Sequence, residues 1–162
     1  MLIIIDASVL IAFYSQYELD NPQLLHQLAC NGYTLVIPLA VFQEIKNGRK
    51  STFDILTQAV ANWTINVNSE ISIEETQPFR KRNPRLHDGE IQVLLLGLKC
   101  KTLGTPYFCS IDEGPARRIA ERMGVSIKGT KGAVTLLKEK QIIDDVKMES
   151  LFYRLNHCNF RA

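Results

Sequence analysis

The feature that most constrains the fold is the short apolar run Leu2–Ile5, which contains three consecutive isoleucines. A continuous β-branched run of this kind is typical of a strand buried on both faces, as in a parallel sheet between helices. Asp6 follows the run directly. Because a carboxylate at the end of a buried strand is costly to desolvate without a partner, we predict that Asp6 belongs to an acidic metal site.

Strand-like runs alternate with helical spacing along the rest of the chain. We predict four further strands, at Thr34–Ile37, Trp63–Val67, Pro106–Ile111 and Val125–Ile127. Apolar residues at helical spacing predict helices over Val9–Tyr14, Pro22–Asn31, Val41–Asn47, Thr52–Asn62, Asp88–Lys99 and Pro115–Met123, and from about Lys131 and Asp145. This alternation predicts an α/β fold with a parallel sheet sandwiched between helix layers.

Two local assignments complete the predicted secondary structure. Ser8 and Asp88 are placed as N-caps of the helices that follow them. Ser69–Arg85 is the least regular segment, in which only Glu70–Thr76 is expected to form a short helix.

The composition is that of an ordinary globular domain. The chain has 162 residues, 46% of them apolar and 22% charged, with a net charge of +2, so we expect a single domain over residues 1–162. Its four cysteines form no C-x-x-C pair, which favours neither zinc nor a disulfide framework. The sequence has no basic leader and no run of about 18 apolar residues, so we expect a cytoplasmic protein without a membrane partner.

Four acids are candidates for one metal site. Asp6 and Asp112 end the first and fourth predicted strands, and open α/β sheets bind their ligands at the carboxyl ends of strands. Glu44 lies beside the apolar face of an early helix, and Glu90 lies in the first turn of the helix predicted from Asp88. Four converging carboxylates repel one another unless a hard divalent cation such as Mg²⁺ or Mn²⁺ binds between them.

Each of these acids also has an ordinary alternative role. Asp6 and Asp112 could each cap the helix that follows, and Glu44 could be a surface acid. Ser8 is placed to hydrogen-bond an acid or a ligand water around the metal. Asp88 and Glu113 are expected in the same outer shell, Asp88 mainly as a helix cap and Glu113 as a solvated neighbour.

Cations are concentrated around residues 80–85 and at the start of a later helix. We predict that they bind backbone phosphates of a nucleic acid, although a solvated loop would also account for the first group. The predicted nucleic-acid contacts are Arg80, Lys81, Arg82, Arg85, Arg117 and Arg118, with Lys128 and Lys131 as further candidates.

Five segments together resemble the PIN-domain family. They are Ile3–Ile11, Pro38–Ile45, His87–Glu90 ahead of Val93–Leu96, Ile111–Arg118 and Lys128–Leu137, the last resembling a mostly uncharacterised branch. The resemblance implies a three-layer α/β/α sandwich with a parallel sheet ordered 3-2-1-4-5, in which the first and fourth strands are neighbours. It also implies an Mg²⁺- or Mn²⁺-dependent nuclease, often a toxin of the VapC kind paired with an antitoxin protein.

The family's four acids carry over onto Asp6, Glu44, Glu90 and Asp112. The third acid is Asp in many relatives, whereas here Glu90 and Asp88 both lie in that region, and we favour Glu90. The resemblance thus implies an endoribonuclease that hydrolyses phosphodiesters with a metal-activated water. It also implies a possible homodimer, for which the apolar end Leu151–Phe160 could serve, although those residues could equally cover the sheet.

Three other functions compete with metal-dependent cleavage. A metal-free ribonuclease would need paired histidines, but His26, His87 and His157 suggest no pair. An aspartyl phosphotransferase of the haloacid dehalogenase type would need a second Asp where Ser8 stands. The remaining alternative is a PIN-like scaffold that binds RNA or a partner protein without cutting.

Overall fold

The fold contains five strands and, in its described part, nine helices. The computed structural model describes residues 1–158. The strands are β1 (Leu2–Ile5), β2 (Thr34–Pro38), β3 (Ile65–Asn68), β4 (Tyr107–Ser110) and β5 (Ile127–Lys128). The helices are α1 (Ala7–Tyr14), α2 (Pro22–Cys30), α3 (Leu39–Gly48), α4 (Lys50–Ala61), α5 (Ile73–Arg82), α6 (Asp88–Leu103), α7 (Gly114–Met123), α8 (Thr130–Glu139) and α9 (Asp145–His157).

The strands form one parallel sheet in the order β3-β2-β1-β4-β5, which confirms the predicted α/β/α architecture. Ile3 of β1 is paired with Leu35 of β2 on one side and with Phe108 of β4 on the other. Since β1 and β4 are neighbours and run in the same direction, the residues that follow them, Asp6 and Asp112, lie at the same edge of the sheet.

The centre of the sheet is buried on both faces. Ile3, Ile4 and Ile5 are almost wholly inaccessible to solvent, as expected for a central parallel strand. Helix α6 packs on β1, β2 and β4, and its buried residues include Ile91 and Leu94. A helix that is apolar around most of its circumference is stable only when it is enclosed. The first turn of α6 is therefore fixed firmly at the sheet edge.

Two predicted helix caps are wrong by one or two residues. The N-cap of α1 is Asp6, whose carboxylate accepts a hydrogen bond from the backbone N–H of Ser8, so Ser8 lies inside the helix. The N-cap of α6 is His87, and Asp88 is the first helical residue. The Glu90 side chain accepts a hydrogen bond from the His87 N–H at 2.8 Å, which is half of a capping box.

The segment predicted to be irregular, Ser69–Arg85, contains a ten-residue helix, α5. The Ser72 hydroxyl caps it by accepting from the N–H of Glu75. Acids occupy the first turn and cations the last, an arrangement that the helix dipole favours. Pro78 inside the helix weakens its sequence signal, because proline usually ends helices. The predicted basic loop is therefore partly the last turn of a helix.

Strand and terminal boundaries also differ from the predictions. Strand β3 begins at Ile65 because Trp63 adopts a left-handed backbone conformation and is 81% exposed. Strand β5 covers only Ile127–Lys128, since the N–H of Val125 bonds back to the last turn of α7.

At the carboxyl end, Leu151 and Leu155 of α9 are buried, so this part of the expected dimer segment packs on the fold. Its last residues, 159 and 160, lie outside the described chain. Within residues 1–158, no helix combines the length and apolarity needed to cross a bilayer.

Candidate acidic metal site

A cavity of about 360 Å³ lies where β1 passes into α1, and five carboxylates line it. The cationic side chain of Arg49 and the imidazole of His87 also contact this space. We call it the acidic cavity. Its acids are Asp6, Glu18, Glu44, Glu90 and Glu113.

Asp6 is the most enclosed acid of the cavity, at 3% exposure. Its Oδ2 accepts a hydrogen bond from the Ser8 hydroxyl at 2.8 Å, whereas its Oδ1 has no partner within residues 1–158. Burial raises the pKa of Asp6; hydrogen bonds from Ser8 and Ala7 oppose this shift, and the charge of Asp112 adds to it. Asp6 thus caps α1 with one oxygen and leaves the other unsatisfied.

Gly89, in the first turn of α6, allows two of the acids to approach the helix. A Cβ atom at this position would lie 2.8 Å from Oε2 of Glu44 and 3.7 Å from Oδ1 of Asp6. The first distance is shorter than real Cβ contacts permit, so any larger residue would displace Glu44. Glu44 is exposed on α3, and its pKa is raised by desolvation and by the charge of Asp6.

Glu90, and not Asp88, lines the acidic cavity. Glu90 is only 4% exposed, and desolvation, with smaller effects from Asp6 and Glu113, raises its pKa to about 7. Asp88 is exposed, and its Oδ1 lies 3.0 Å from Nη1 of Arg80. The two acids differ because residues two apart on a helix face different directions.

Asp112 lies beside the acidic cavity but does not line it. Its Oδ1 accepts from the backbone N–H of Thr130 at 2.7 Å, and its Oδ2 accepts from the Thr130 hydroxyl at 2.5 Å. Asp112 therefore binds the first residue of α8 and does not cap α7, whose N-cap is Glu113. Desolvation raises the pKa of Asp112, while Thr130 and Arg117 oppose the shift.

Glu18 is an acid of the cavity that the sequence did not indicate. It follows α1 in a short loop, outside any apolar pattern, and its Oε2 is buried without a partner within residues 1–158. Desolvation raises its pKa, Arg49 lowers it, and Asp112 raises it. Its backbone carbonyl accepts a hydrogen bond from Nε of Arg154 at 2.7 Å. Only its position after the first strand–helix unit could have suggested this placement.

The cations predicted to bind nucleic acid separate into different surroundings. Arg80 is paired with Asp88, and Arg117 lines a cavity with Asp112, Lys128 and Lys131. Lys81 is exposed on the last turn of α5. The other three line a further cavity together with an arginine that was not predicted: Arg82, Arg85, Arg118 and Arg122.

The acidic cavity fits a hard divalent cation. Within residues 1–158, no three His, Cys, Asp or Glu side chains form a ready-made set of protein ligands. Mg²⁺ commonly takes only one or two carboxylates and keeps several waters, so it does not require such a set. The unpaired buried Oδ1 of Asp6, with Oε2 of Glu44 beside Gly89, offers oxygen ligands of the right kind. Asp6, Glu44 and Glu90 are the residues best placed to hold the ion.

Comparison with known proteins assigns the fold to a family. The family model described as PIN domain matches residues 2–162. No curated protein and no solved structure matches the chain. The PIN domain is a nuclease-type fold, and its members typically use divalent metals. With nearly its whole length matched, the chain belongs to the PIN-domain family.

Proposed function

We propose that the protein is a divalent-metal-dependent endoribonuclease that hydrolyses phosphodiester bonds in the acidic cavity. The observation that carries the proposal is the unpaired, buried Oδ1 of Asp6 in a cavity with four further carboxylates. An orphaned oxygen in a site of this charge is costly unless a cation binds it. The family supports the coarser assignment to nucleases.

Some residues of the cavity would bind the ion, and others position these ligands. Asp6, Glu44 and Glu90 would hold the ion, and Ser8 keeps Asp6 in place through the 2.8 Å hydrogen bond to Oδ2. When bound, a divalent ion would supply an activated water and neutralise charge on the phosphate. Asp112 stays close enough to add negative charge, while its bonds to Thr130 fix its orientation. In-line attack by water on the phosphorus breaks its bond to the 3′ oxygen, which takes up a proton, so the products carry a 5′-phosphate and a 3′-hydroxyl.

Substrate binding is assigned to the cations that surround this site. Arg82, Arg85 and Arg118 are exposed and contact backbone phosphates, which position a nucleic acid without reading its sequence. Arg117 lines a cavity with Asp112. From there its guanidinium would neutralise phosphate charge of the nucleic acid close to the cleaved bond. Choice of RNA is inferred from the family resemblance.

The test is cleavage of RNA by purified protein with Mn²⁺ or Mg²⁺, with analysis of the ends produced. We expect 5′-phosphate products, no cleavage in excess EDTA, and loss of cleavage in Glu44→Gln. The matched control is Glu74→Gln, which changes an exposed acid in the first turn of α5 and should cleave normally. Full activity in EDTA would disprove the metal mechanism.

The competing function is a scaffold that binds RNA or a protein without cutting it. If the wild-type protein cleaves neither RNA nor DNA with Mn²⁺ yet binds one of them, the scaffold function replaces the nuclease. The proposal also includes a cognate antitoxin as protein partner. Growth arrest on expression of this chain, relieved by the neighbouring open reading frame, would support that pairing, and no arrest would count against it.

A further inference from the structure

A second cavity, which we call the arginine pocket, lies between the end of α5 and the outer face of α7. It has a volume of about 280 Å³ and is lined by four arginines: Arg82, Arg85, Arg118 and Arg122. Pro84, Leu86, Pro115 and Ile119 provide apolar wall between the guanidinium groups. The pocket therefore combines positive charge with flat apolar surface.

Residues 1–158 do not balance the charge of the arginine pocket. No acidic residue lines it, and none of its four arginines forms an ion pair with any residue between 1 and 158. Asp88, the nearby acid of α6, is paired with Arg80 instead. Arg118 and Arg122 are four residues apart on α7, where like charges destabilise a helix. Such a concave cluster attracts an anionic ligand.

The arginine pocket and the acidic cavity are lined by residues that are close neighbours in the sequence. Leu86 lines the pocket, and the next residue, His87, lines the acidic cavity. On the opposite side, Pro115 lines the pocket and Glu113, two residues earlier, lines the acidic cavity. The two cavities are therefore neighbours on both sides, so a strand bound in one would continue toward the other.

We propose that the arginine pocket binds one unpaired nucleotide of the RNA strand, next to the bond that is cut. Guanidinium groups bind its phosphate in pairs of hydrogen bonds, and a base stacks on a guanidinium plane or on the apolar wall. A base within a duplex is already stacked and cannot enter a concave site of this size. The pocket thus selects single-stranded substrate. This inference rests on the proposed function for the identity of the ligand.

The test measures binding without cleavage. A short fluorescently labelled RNA strand of mixed sequence, alone or annealed to its complement, is titrated with protein in excess EDTA and followed by anisotropy. Arg118→Gln with Arg122→Gln should weaken binding of the single strand by about tenfold or more. The salt dependence of log K should also become shallower, by about 0.7 for each lost phosphate contact. Both arginines are exposed, so the fold should be retained.

Two further variants separate a nucleotide pocket from a general basic surface. Lys140→Gln with Lys147→Gln removes the same charge from lysines that line neither cavity, and should bind nearly as well as the wild type. Arg118→Lys with Arg122→Lys keeps the charge but removes the planar fork, and should still lose affinity. The proposal would be overturned if Arg118→Lys with Arg122→Lys bound the single strand as tightly as the wild type does. It would also be overturned if the wild type bound the duplex as tightly as the single strand.

The outcome is independent of the nuclease assignment because no metal is present. If the single strand binds as expected but Mn²⁺ produces no cleavage, the proposed function fails and the pocket stands. If the wild type cleaves RNA and the glutamine variant binds and cleaves equally well, the pocket fails and the proposed function stands.

Discussion

The acidic cavity and the arginine pocket lie side by side but are built in opposite ways. Asp6 and Glu90 are 3% and 4% exposed, and the elements that carry them are packed into the core. The four arginines of the pocket are all exposed, on the end of α5, the loop after it and the surface of α7. One site is built around two poorly solvated carboxylates, whereas the other consists of long, hydrated side chains.

This difference predicts where substitutions have large effects. Buried carboxylates lose much of their hydration, so small changes alter both their protonation and the stability of the fold. Exposed guanidinium groups keep their hydration, so removing one changes ligand affinity by a modest factor. Substitutions in the acidic cavity should therefore have large effects, and substitutions on the surface around it should have small ones.

The largest effect is expected from Asp6→Asn. Loss of one ligand charge should reduce metal-dependent cleavage by at least about a hundredfold. In EDTA, however, the variant should unfold at a higher temperature than the wild type near pH 8, because the neutral amide avoids desolvating a charge. Asn is also as good an N-cap as Asp. Thermal unfolding followed by circular dichroism measures this, with the exposed Asp54→Asn as control. A less stable variant would contradict the description of Asp6 as a desolvated acid whose charge is costly to bury.

The second effect is a fall in stability as pH rises. The pKa of Glu90 is about 7 in the folded protein against 4.5 for an ordinary glutamate, so the folded state binds more protons. In EDTA, its contribution to the free energy of unfolding should be complete below about pH 4.5 and decrease by about 3 kcal/mol by pH 8. Urea unfolding across this range measures the slope, and Glu90→Gln should flatten it. Stability that increases between pH 5 and 8 would refute the assignment.

A smaller effect is expected from Glu18→Gln. If the unpaired Oε2 of Glu18 helps to hold the ion or its waters, Mn²⁺ affinity measured by calorimetry should fall about tenfold. Asp20→Asn is the matched control, since Asp20 is exposed in the same loop and Asn tolerates its positive φ of 48°. Equal affinities for the two variants would show that Glu18 only borders the cavity.

The smallest effect is expected from Asp88→Asn. The Asp88–Arg80 pair is half-exposed, so its loss should change the free energy of unfolding by less than about 0.5 kcal/mol. Mn²⁺ affinity should not change, because Glu90 and not Asp88 lines the acidic cavity. A large loss of Mn²⁺ affinity would reverse the choice between these two acids and remove the contrast between buried and exposed sites.

The sequence predicted the sheet and most of the acids because these features are local. A buried apolar run identifies a strand, and the acid after it identifies the carboxyl edge, as with Ile5 and Asp6. Contacts between distant residues were not visible in the same way. The bonds of Asp112 to Thr130 join residues 18 apart, and they turn its carboxylate toward α8.

Other features were missed because their local signals were weak or contradictory. Pro78 concealed the helix α5, although Ser72 and the charge order at its two ends support it. Arg122 lies on the same helix as Arg118 but was not among the predicted contacts, and it meets Arg82 and Arg85 only through the fold. Three of the four acids that the resemblance indicated line the acidic cavity, whereas Glu18, in a loop, had no pattern to reveal it.

The hydrogen bond from Arg154 to the Glu18 carbonyl links two residues that are 136 positions apart. During translation, the loop that carries Glu18 is therefore made long before the helix that supports it. Strands β1 and β4 can pair before α9 exists, but this wall of the acidic cavity gains the hydrogen bond from Arg154 only when α9 docks. The timing of synthesis thus separates the assembly of the sheet from the completion of the site, and a ribosome that stalls before Arg154 leaves a chain with its acids present and this hydrogen bond unformed.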